Sequence, residues 1–295
     1  MTRTVPISAA IAACDRPEGV LRCLEAILGG EVLPAEVIVV DQSRDDRVAS
    51  ALAGAGRPDC PVRHLRRPRQ GLSASRNVAL AEAAQAVVAF TDDDCVPDGR
   101  WIATVHEALT ADPDLAAVTG RVLPLGEERP GTHVVSPRDS TVAREYTGRA
   151  VPWTVGTGGN FAARREWLTR AGGFDERLGA GSAGRAAEDA DLLYRLLAAG
   201  GRIRYEPRAV VYHERQTAAQ RLASREGYAH GIAAFCALRA RRGEVYAGRM
   251  LGGYVAGQAG ALARSVLRRD WFLARQRLLA LRGCATGVLY GLRVP

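Results

Sequence analysis

Residues 88–101 read VAFTDDDCVPDGRW, with Asp92, Asp93 and Asp94 directly after an apolar run. Adjacent carboxylates repel, and the cost grows as they lose water. Two settings tolerate such a run: a solvated loop or a bound cation. Side chains at i and i+2 of an extended segment share a face. If strand geometry persists through Asp94, Asp92 and Asp94 point one way and Asp93 the other. Two carboxylates on one side suit a hard divalent cation, Mg2+ or Mn2+, that also holds substrate phosphates.

A second acidic group, Glu188-Asp189-Ala190-Asp191, opens a helical stretch. Acids in a first turn stabilise the helix dipole by about 0.3–1 kcal/mol each without any further role. The same position can also hold an ionised carboxylate ready to accept a proton. His213 leaves the strand-like run RAVVY and suits a metal or a phosphate, or is an ordinary satisfied histidine; His64, His106, His133 and His230 carry only the second reading. The segment Gly71–Asn77 opens a helix whose first amides and Arg76 suit a phosphate, or is a plain capped start. Gly156-Thr157-Gly158-Gly159-Asn160 is neither a Walker loop nor a dinucleotide fingerprint; it lets a ligand near the backbone or merely turns. Trp101 and Trp153 are stacking platforms or core residues.

The elements that must position these residues follow from periodicity. Strands are expected over 5–13, 36–40, 62–65, 86–91, 115–122, 203–205 and 209–212, and helices over 20–28, 46–53, 73–84, 101–109 and 187–199. Residues 126–155 read as irregular, either surface or a mobile loop over a site. The alternation implies an α/β fold with a mostly parallel sheet, whose ligands sit beyond the carboxyl ends of its strands. Asp15, Asp41 and Asp92–Asp94 all follow strand ends, so three strands aim acids at one rim. After Gln216 the composition shifts to Ala, Leu and Arg through three helices, roughly 217–241, 244–268 and 270–290. The expected division is therefore 1–216 and a helical extension 217–295.

Composition excludes several chemistries. All 40 basic residues among the 295 are arginine, so a P-loop lysine, a Schiff-base lysine and a lysine general base are impossible. The net charge of +8 fits an anionic substrate, a membrane surface or nucleic acid, or reflects arginine-rich composition. The six cysteines show neither C-x-x-C nor zinc spacing and read as thiols in a reducing compartment. No signal region follows Met1, and no late uncharged stretch is long enough to span a bilayer. The expectation is a cytoplasmic protein, with the inner membrane face as a possible place of contact.

In order along the chain, ISAAIAACDRPEGVLRCLEAI, VIVVDQSRDD, RQGLSASRNVAL, FTDDDCVPDGRW, VGTGGNFAARREWL with AGGFDERLG, EDADLLYRLLAAG and VVYH resemble the family 2 glycosyltransferases of the GT-A fold, over about residues 6–215. The resemblance implies inverting transfer of a hexosyl or deoxyhexosyl group from a UDP, dTDP or GDP sugar to the hydroxyl of a glycan, lipid-linked or small-molecule acceptor. It implies Asp189 as general base and Asp94, with His213, as ligands of Mg2+ or Mn2+. It places Asp15, Asp41, Arg76, Asp92 and Asp93 on the donor side, with Asp41 at the nucleobase and Arg76 near the diphosphate or orienting the aspartates. Trp153 and Glu188 fall on the acceptor side. Gln42 stands where the family's V-V-D-D-G-S pattern has its second Asp.

Two rivals remain on the residues alone. Asp92–Val96 fits the D-x-D-x-[TV] pattern of haloacid-dehalogenase-like phosphotransferases, although that motif belongs on their first strand and their downstream lysine is missing. A nucleic-acid-binding protein would explain the charge, but no zinc spacing or aromatic RNA-binding signature accompanies it. The Arg-rich tail can pack on the catalytic part, form a dimer or lie on an anionic membrane.

Overall fold

The structure is a computed structural model and describes residues 3–294. Strands and helices alternate through β1 (Arg3–Ala13), α1 (Pro17–Leu28), β2 (Val32–Asp41), α2 (Arg47–Leu52), β3 (Val62–Arg66), α3 (Leu72–Glu82) and β4 (Val87–Asp92). Pro17 starts α1, where a missing N–H is harmless, and Val20, Cys23, Leu24 and Ile27 bury one face of that helix. Next come β5 (Cys95–Pro97), α4 (Trp101–Ala111), β6 (Leu115–Pro124), β7 (Thr132–His133), β8 (Arg144–Tyr146), α5 (Pro152–Val155), β9 (Phe161–Arg164), α6 (Arg165–Arg170), α7 (Glu188–Ala198), β10 (Arg202–His213) and β11 (Gln216–Thr217).

Nine strands form the central sheet in the order β3-β2-β1-β4-β9-β6-β10-β5, with β8 also on β10. The α/β expectation holds, and the sheet is mixed. The run β3-β2-β1-β4 is parallel, and so is the pair β6-β10. Between them β9 runs antiparallel to both neighbours, and β5 and β8 run antiparallel along the outer edge of β10. Alternation along β1 divides the core. Ile7, Ala9 and Ile11 pack with α1 and α4, whereas Ala10 packs with Ile38, Phe90 and the α3 and α7 side. The two short strands expected at 203–205 and 209–212 are one strand, β10, with a register shift between Glu206 and Val210. Pro207 lies in that interval and cannot donate to a ladder, which accounts for the sequence pattern breaking there.

The tail folds as α8 (Ala218–Arg241), α9 (Val245–Leu267) and α10 (Trp271–Arg293). Gly283, Gly287 and Gly291 let α10 lie directly on α8. A Cβ at these positions would come within 2.3, 2.1 and 2.7 Å of the carbonyls of Glu226, His230 and Ala234. Helix α8 in turn packs Ala234, Phe235 and Leu238 against Ala187, Ala190 and Tyr194 at α7. Arg239 Nε donates to Asp191 Oδ1 at 2.8 Å, both side chains being buried. Asp191, third acid of the EDAD group, is thus a structural anchor between α7 and the tail. Among the described residues no helix is long and apolar enough to cross a membrane.

Candidate active site

A cavity of about 690 Å3 opens at the carboxyl ends of β1 and β4, where the order of the parallel strands reverses. Asp92, Asp93, Asp94, Glu188, Asp189, His213 and Trp153 all line it. Four separate chain segments therefore converge as the sequence led us to expect, but their geometry differs from a simple extended run.

Strand β4 stops at Asp92 and the chain turns, so the three aspartates diverge. Asp92 Oδ1 accepts from Arg76 Nη2 at 2.7 Å. Asp93 Oδ2 accepts the Cys14 N–H at 3.1 Å and its other oxygen pairs with Arg16 Nε at 3.3 Å. Asp93 thereby ties the turn to the end of β1. Burial, reinforced by Asp94, pushes its carboxyl up to about 7. Asp94 turns the other way, towards His213.

The pairing of β5 with β10 sets His213 opposite Cys95 and brings His213 Nε2 to 3.5 Å from Asp94 Oδ1. His213 Nδ1 lies 2.8 Å from the Glu214 carbonyl, which can only accept, so Nδ1 carries the proton. In the neutral ring the Nε2 lone pair then faces a carboxylate. Cys95 completes a group whose donor atoms lie within 4.8 Å of one another. Burial and the neighbouring aspartates push the Cys95 thiol well up, so it stays an S–H group beside Asp94, 3.7 Å from Oδ1. Burial also raises the Asp94 carboxyl, against the lowering influence of His213. A carboxylate and an imidazole lone pair facing each other at the cavity wall fit a divalent cation.

Arg76 is the centre of the site. It is 2% exposed, donates through Nη1 to Glu188 Oε1 at 2.8 Å and through Nη2 to Asp92, and lies over the Phe174 ring. Burial alone would lower its pKa, but Asp92, Glu188 and Asp189 raise it. Arg76 therefore joins Asp92 to Glu188. Glu188 is buried against Arg76, and burial with Asp189 next to it pushes its carboxyl up to about 7.

Asp189 Oδ2 accepts the Gly158 N–H at 2.7 Å and Oδ1 accepts the Ala190 N–H at 2.7 Å. Two backbone donors thus fix one carboxylate at the start of α7. The preceding Ala187 is held at φ 70°, a left-handed conformation unusual for a residue with a Cβ. The glycines of the GTGGN segment have a direct explanation. A Cβ on Gly158 would lie 2.4 Å from Arg76 Nη1, and one on Gly159 would lie 3.1 Å from Asp92 Oδ2. Glycine lets this loop lie on the Asp92–Arg76 pair and present its amide to Asp189.

Other residues singled out in the sequence lie away from this cluster. The Asp41 carboxylate is wholly buried off the cavity wall, accepting the Ser43 N–H at 2.8 Å and pairing with His64 at 3.0 Å, because the end of β2 lies beside β3. Asp15 is also off the wall: it accepts the Arg44 N–H and pairs with Arg69, which does line the cavity. Part of the approach to α3 is already bonded within the protein. Gln42 Oε1 accepts from Gln70 and Gly71, and the Leu72 N–H donates to Ala180. Trp101 is core, donating its Nε1–H to Asn160, whereas Trp153 stays at the wall and packs edge-on against Tyr254. The irregular segment 126–155 contributes Ser136, Pro137 and Arg138 to the wall.

Tyr228 and Ile232 of α8 also line the cavity and had no signal in the sequence. They show that the tail completes the site rather than standing apart from it.

The family model described as glycosyl transferase family 2 matches residues 8–171. A pre-mycofactocin glycosyltransferase of Mycobacterium tuberculosis is 32% identical over 214 residues, which are 69% of this chain and 42% of the relative, so the chain spans less than half that protein's length. A glucosyl-dolichyl phosphate glucuronosyltransferase of Haloferax volcanii is 25% identical over 68% of this chain and 66% of its own. Among solved structures, the mannosyltransferase PcManGT of Pyrobaculum calidifontis, in complex with GDP-Man and Mn2+, aligns over 97% of this chain and 87% of its own with a TM-score of 0.63 at 18% identity. The likeness in structure establishes the GT-A fold.

Proposed function

The chain belongs to glycosyl transferase family 2, and from that premise we propose that it is an inverting, metal-dependent transferase using a nucleoside-diphosphate sugar, with Asp189 as its general base. One observation carries the reading: Asp94 with His213, and Asp189, open onto the same cavity. Asp189 takes the proton of an acceptor hydroxyl as that oxygen attacks the anomeric carbon. The new C–O bond forms on the face opposite the departing diphosphate, whose bond to the sugar breaks, so the configuration inverts. Asp94 and His213 Nε2 would hold Mg2+ or Mn2+, which when bound offsets charge gathering on the leaving group. Asp92 and Arg76 keep the turn in register with α7, and Arg16 and Arg69 add positive charge beside the donor. Trp153 offers an aromatic face to the acceptor. The bond from Arg76 to Asp92 Oδ1 fits this joining role for Asp92.

A thermal-shift screen of UDP, dTDP and GDP sugars, with and without Mn2+, tests this. At least one is expected to raise Tm, and more so with Mn2+. The size of the Mn2+ effect depends on pH with a definite sign. The cation takes the deprotonated carboxylate, and Asp94 has a raised pKa. Binding is therefore fully present above that pKa and is lost as pH falls through it. The Mn2+ shift is expected to be smaller at pH 5.5 than at pH 8; a shift independent of pH would count against Asp94 as a ligand.

A membrane-facing role for the tail rests on a separate observation. At the turn between α9 and α10, Leu267 is 82% and Trp271 66% exposed, beside Arg268 and Arg269. Apolar tips within a basic rim suit an anionic bilayer surface. Recovery with phosphatidylglycerol vesicles is expected to drop about tenfold or more for Leu267→Glu with Trp271→Glu, since burying each side chain is worth about 1.5–3 kcal/mol. Equal recovery of native and variant chains would remove the membrane role.

A further inference from the structure

Half-buried Arg221 and Arg225 of α8 and Arg277 of α10 lie within electrostatic reach of one another and of the exposed Arg264 of α9, with Arg221 bonded to Gln276, the neighbour of Arg277. Their partners are neutral. Arg221 Nε donates to Gln276 Oε1 at 3.3 Å and its Nη1 to the Val134 carbonyl, and Arg277 Nη1 donates to Gln258 Oε1 at 3.1 Å. Among the described residues none of the four forms an ion pair with a carboxylate, whereas the buried Arg76 and Arg239 both do. Arg225 Nε and Arg277 Nε are buried with no partner at all. Burial, and then the charge of Arg225, lower the pKa values of both Arg221 and Arg277, an environment that disfavours cations. Neighbouring like charges without counter-charge repel, and a bound anion would offset that repulsion.

The cluster adjoins a second groove, about 460 Å3, lined by Val151, Trp153, Tyr246, Met250, Tyr254 and Gln258. Trp153 belongs to both cavities, and Gln258 is the residue that Arg277 holds. Gly253 and Gly257 on α9 leave the groove open, since a Cβ on either would meet nothing within 4 Å. Trp153 thus stands between the cavity that holds Asp189 and the groove beside the arginines.

We propose that this groove seats the acceptor and that Arg221, Arg225, Arg264 and Arg277 bind a phosphate group on it, away from the hydroxyl that Asp189 deprotonates. Guanidinium forks match phosphate oxygens in shape as well as charge. The aromatic and aliphatic lining between the two ends suits a sugar ring or an apolar chain. The inference deepens the glycosyltransferase reading and rests on it for the chemistry at Asp189, but phosphate binding at the cluster can be measured without transfer.

The full chain is titrated calorimetrically, in EDTA so that no metal-bridged binding contributes, with inorganic phosphate, farnesyl phosphate and farnesol. The native protein is expected to bind both phosphates. Affinity at least tenfold higher for farnesyl phosphate supports a lipid-linked acceptor, and equal affinity for the two supports a soluble phosphorylated one. The double variant Arg225→Gln with Arg277→Gln is expected to lose at least tenfold in phosphate affinity, and Lys at both positions to restore part of it. Without ligand, the Gln variant is expected to melt at or above the native temperature, because a repulsion has been removed; a purely structural role for the arginines would lower it. Farnesol binding as tightly as farnesyl phosphate, or undiminished phosphate binding by the Gln variant, would overturn the proposal. The nucleotide-sugar shift with Mn2+ is read separately on both proteins, so a failure of the donor reading shows there and not in the phosphate titration.

Discussion

Asp189→Asn is expected to slow sugar transfer by about 10²–10⁴-fold, the range a positioned general base contributes. The substitution is nearly isosteric, and the Asn carbonyl oxygen can still accept the Gly158 N–H that Asp189 accepts at 2.7 Å, although the amide nitrogen then faces the Ala190 N–H without accepting from it. The bond to the loop 156–160 is kept and the one to the start of α7 is lost, so Tm should fall modestly without loss of the fold. Donor binding should also survive, because Asp94 and His213 lie on the turn after β4 and on β10, apart from α7. The diagnostic result is a nucleotide-sugar thermal shift like that of the native protein beside single-turnover transfer reduced a hundredfold or more. Transfer within a few-fold of native would show that another group takes the proton.

Arg76→Met should have the largest effect on stability. It keeps the length of the side chain but leaves Asp92 and Glu188 facing each other without the guanidinium that now bonds both at 2.7 and 2.8 Å. Breaking one partner of a buried ion pair typically costs about 3–5 kcal/mol. The cost depends on pH. Burial and Asp189 already hold Glu188 at about 7, and Arg76 is the group that lowers it. Without Arg76 the carboxyl rises further. A carboxylate with a raised folded pKa contributes stability that is fully present below its unfolded value and lost as pH rises through the folded one. The variant's deficit is therefore expected to stay nearly constant below about pH 7, where both proteins hold Glu188 protonated, and to grow as pH rises above it, as read by urea unfolding on either side of that value. A deficit that does not grow with pH would mean that Arg76 acts through packing on Phe174 rather than through its charge. Transfer should fall as well, since Arg76 joins the aspartate turn to α7.

Much of the scaffold was legible because local burial leaves a local pattern. The apolar runs of β1, β2 and β4 and the helical spacing of α1 and α7 appear in the structure close to where periodicity put them. The three tail helices do too, each within a few residues. The strands β5 and β9 were not legible. Three and four residues are too short for a period, and both exist only because β10, β4 and β6 offer edges to pair with. The extended reading of Asp92–Asp94 went astray for a related reason. Alternation predicts facing only while a strand continues, and the chain turns after Asp92 so that each aspartate can reach a different partner. Asp41 followed a strand end like the others, yet its neighbours on β3 drew it inward.

By itself the sequence determined which side chains were available and which elements carried them: carboxylates at strand ends and at the head of a helix, a histidine at the end of a strand, and no lysine at all. Tertiary structure alone decided which of them meet. Arg76 and Glu188 lie 112 positions apart, and His213 reaches Asp94 only through a three-residue strand. Tyr228 enters the cavity from a helix with no motif of its own. The physical reason is that periodicity records whether a residue is buried, which is a property of its own element. A charge partner, an aimed lone pair or an uncompensated arginine cluster is set by the packing of elements distant in the chain.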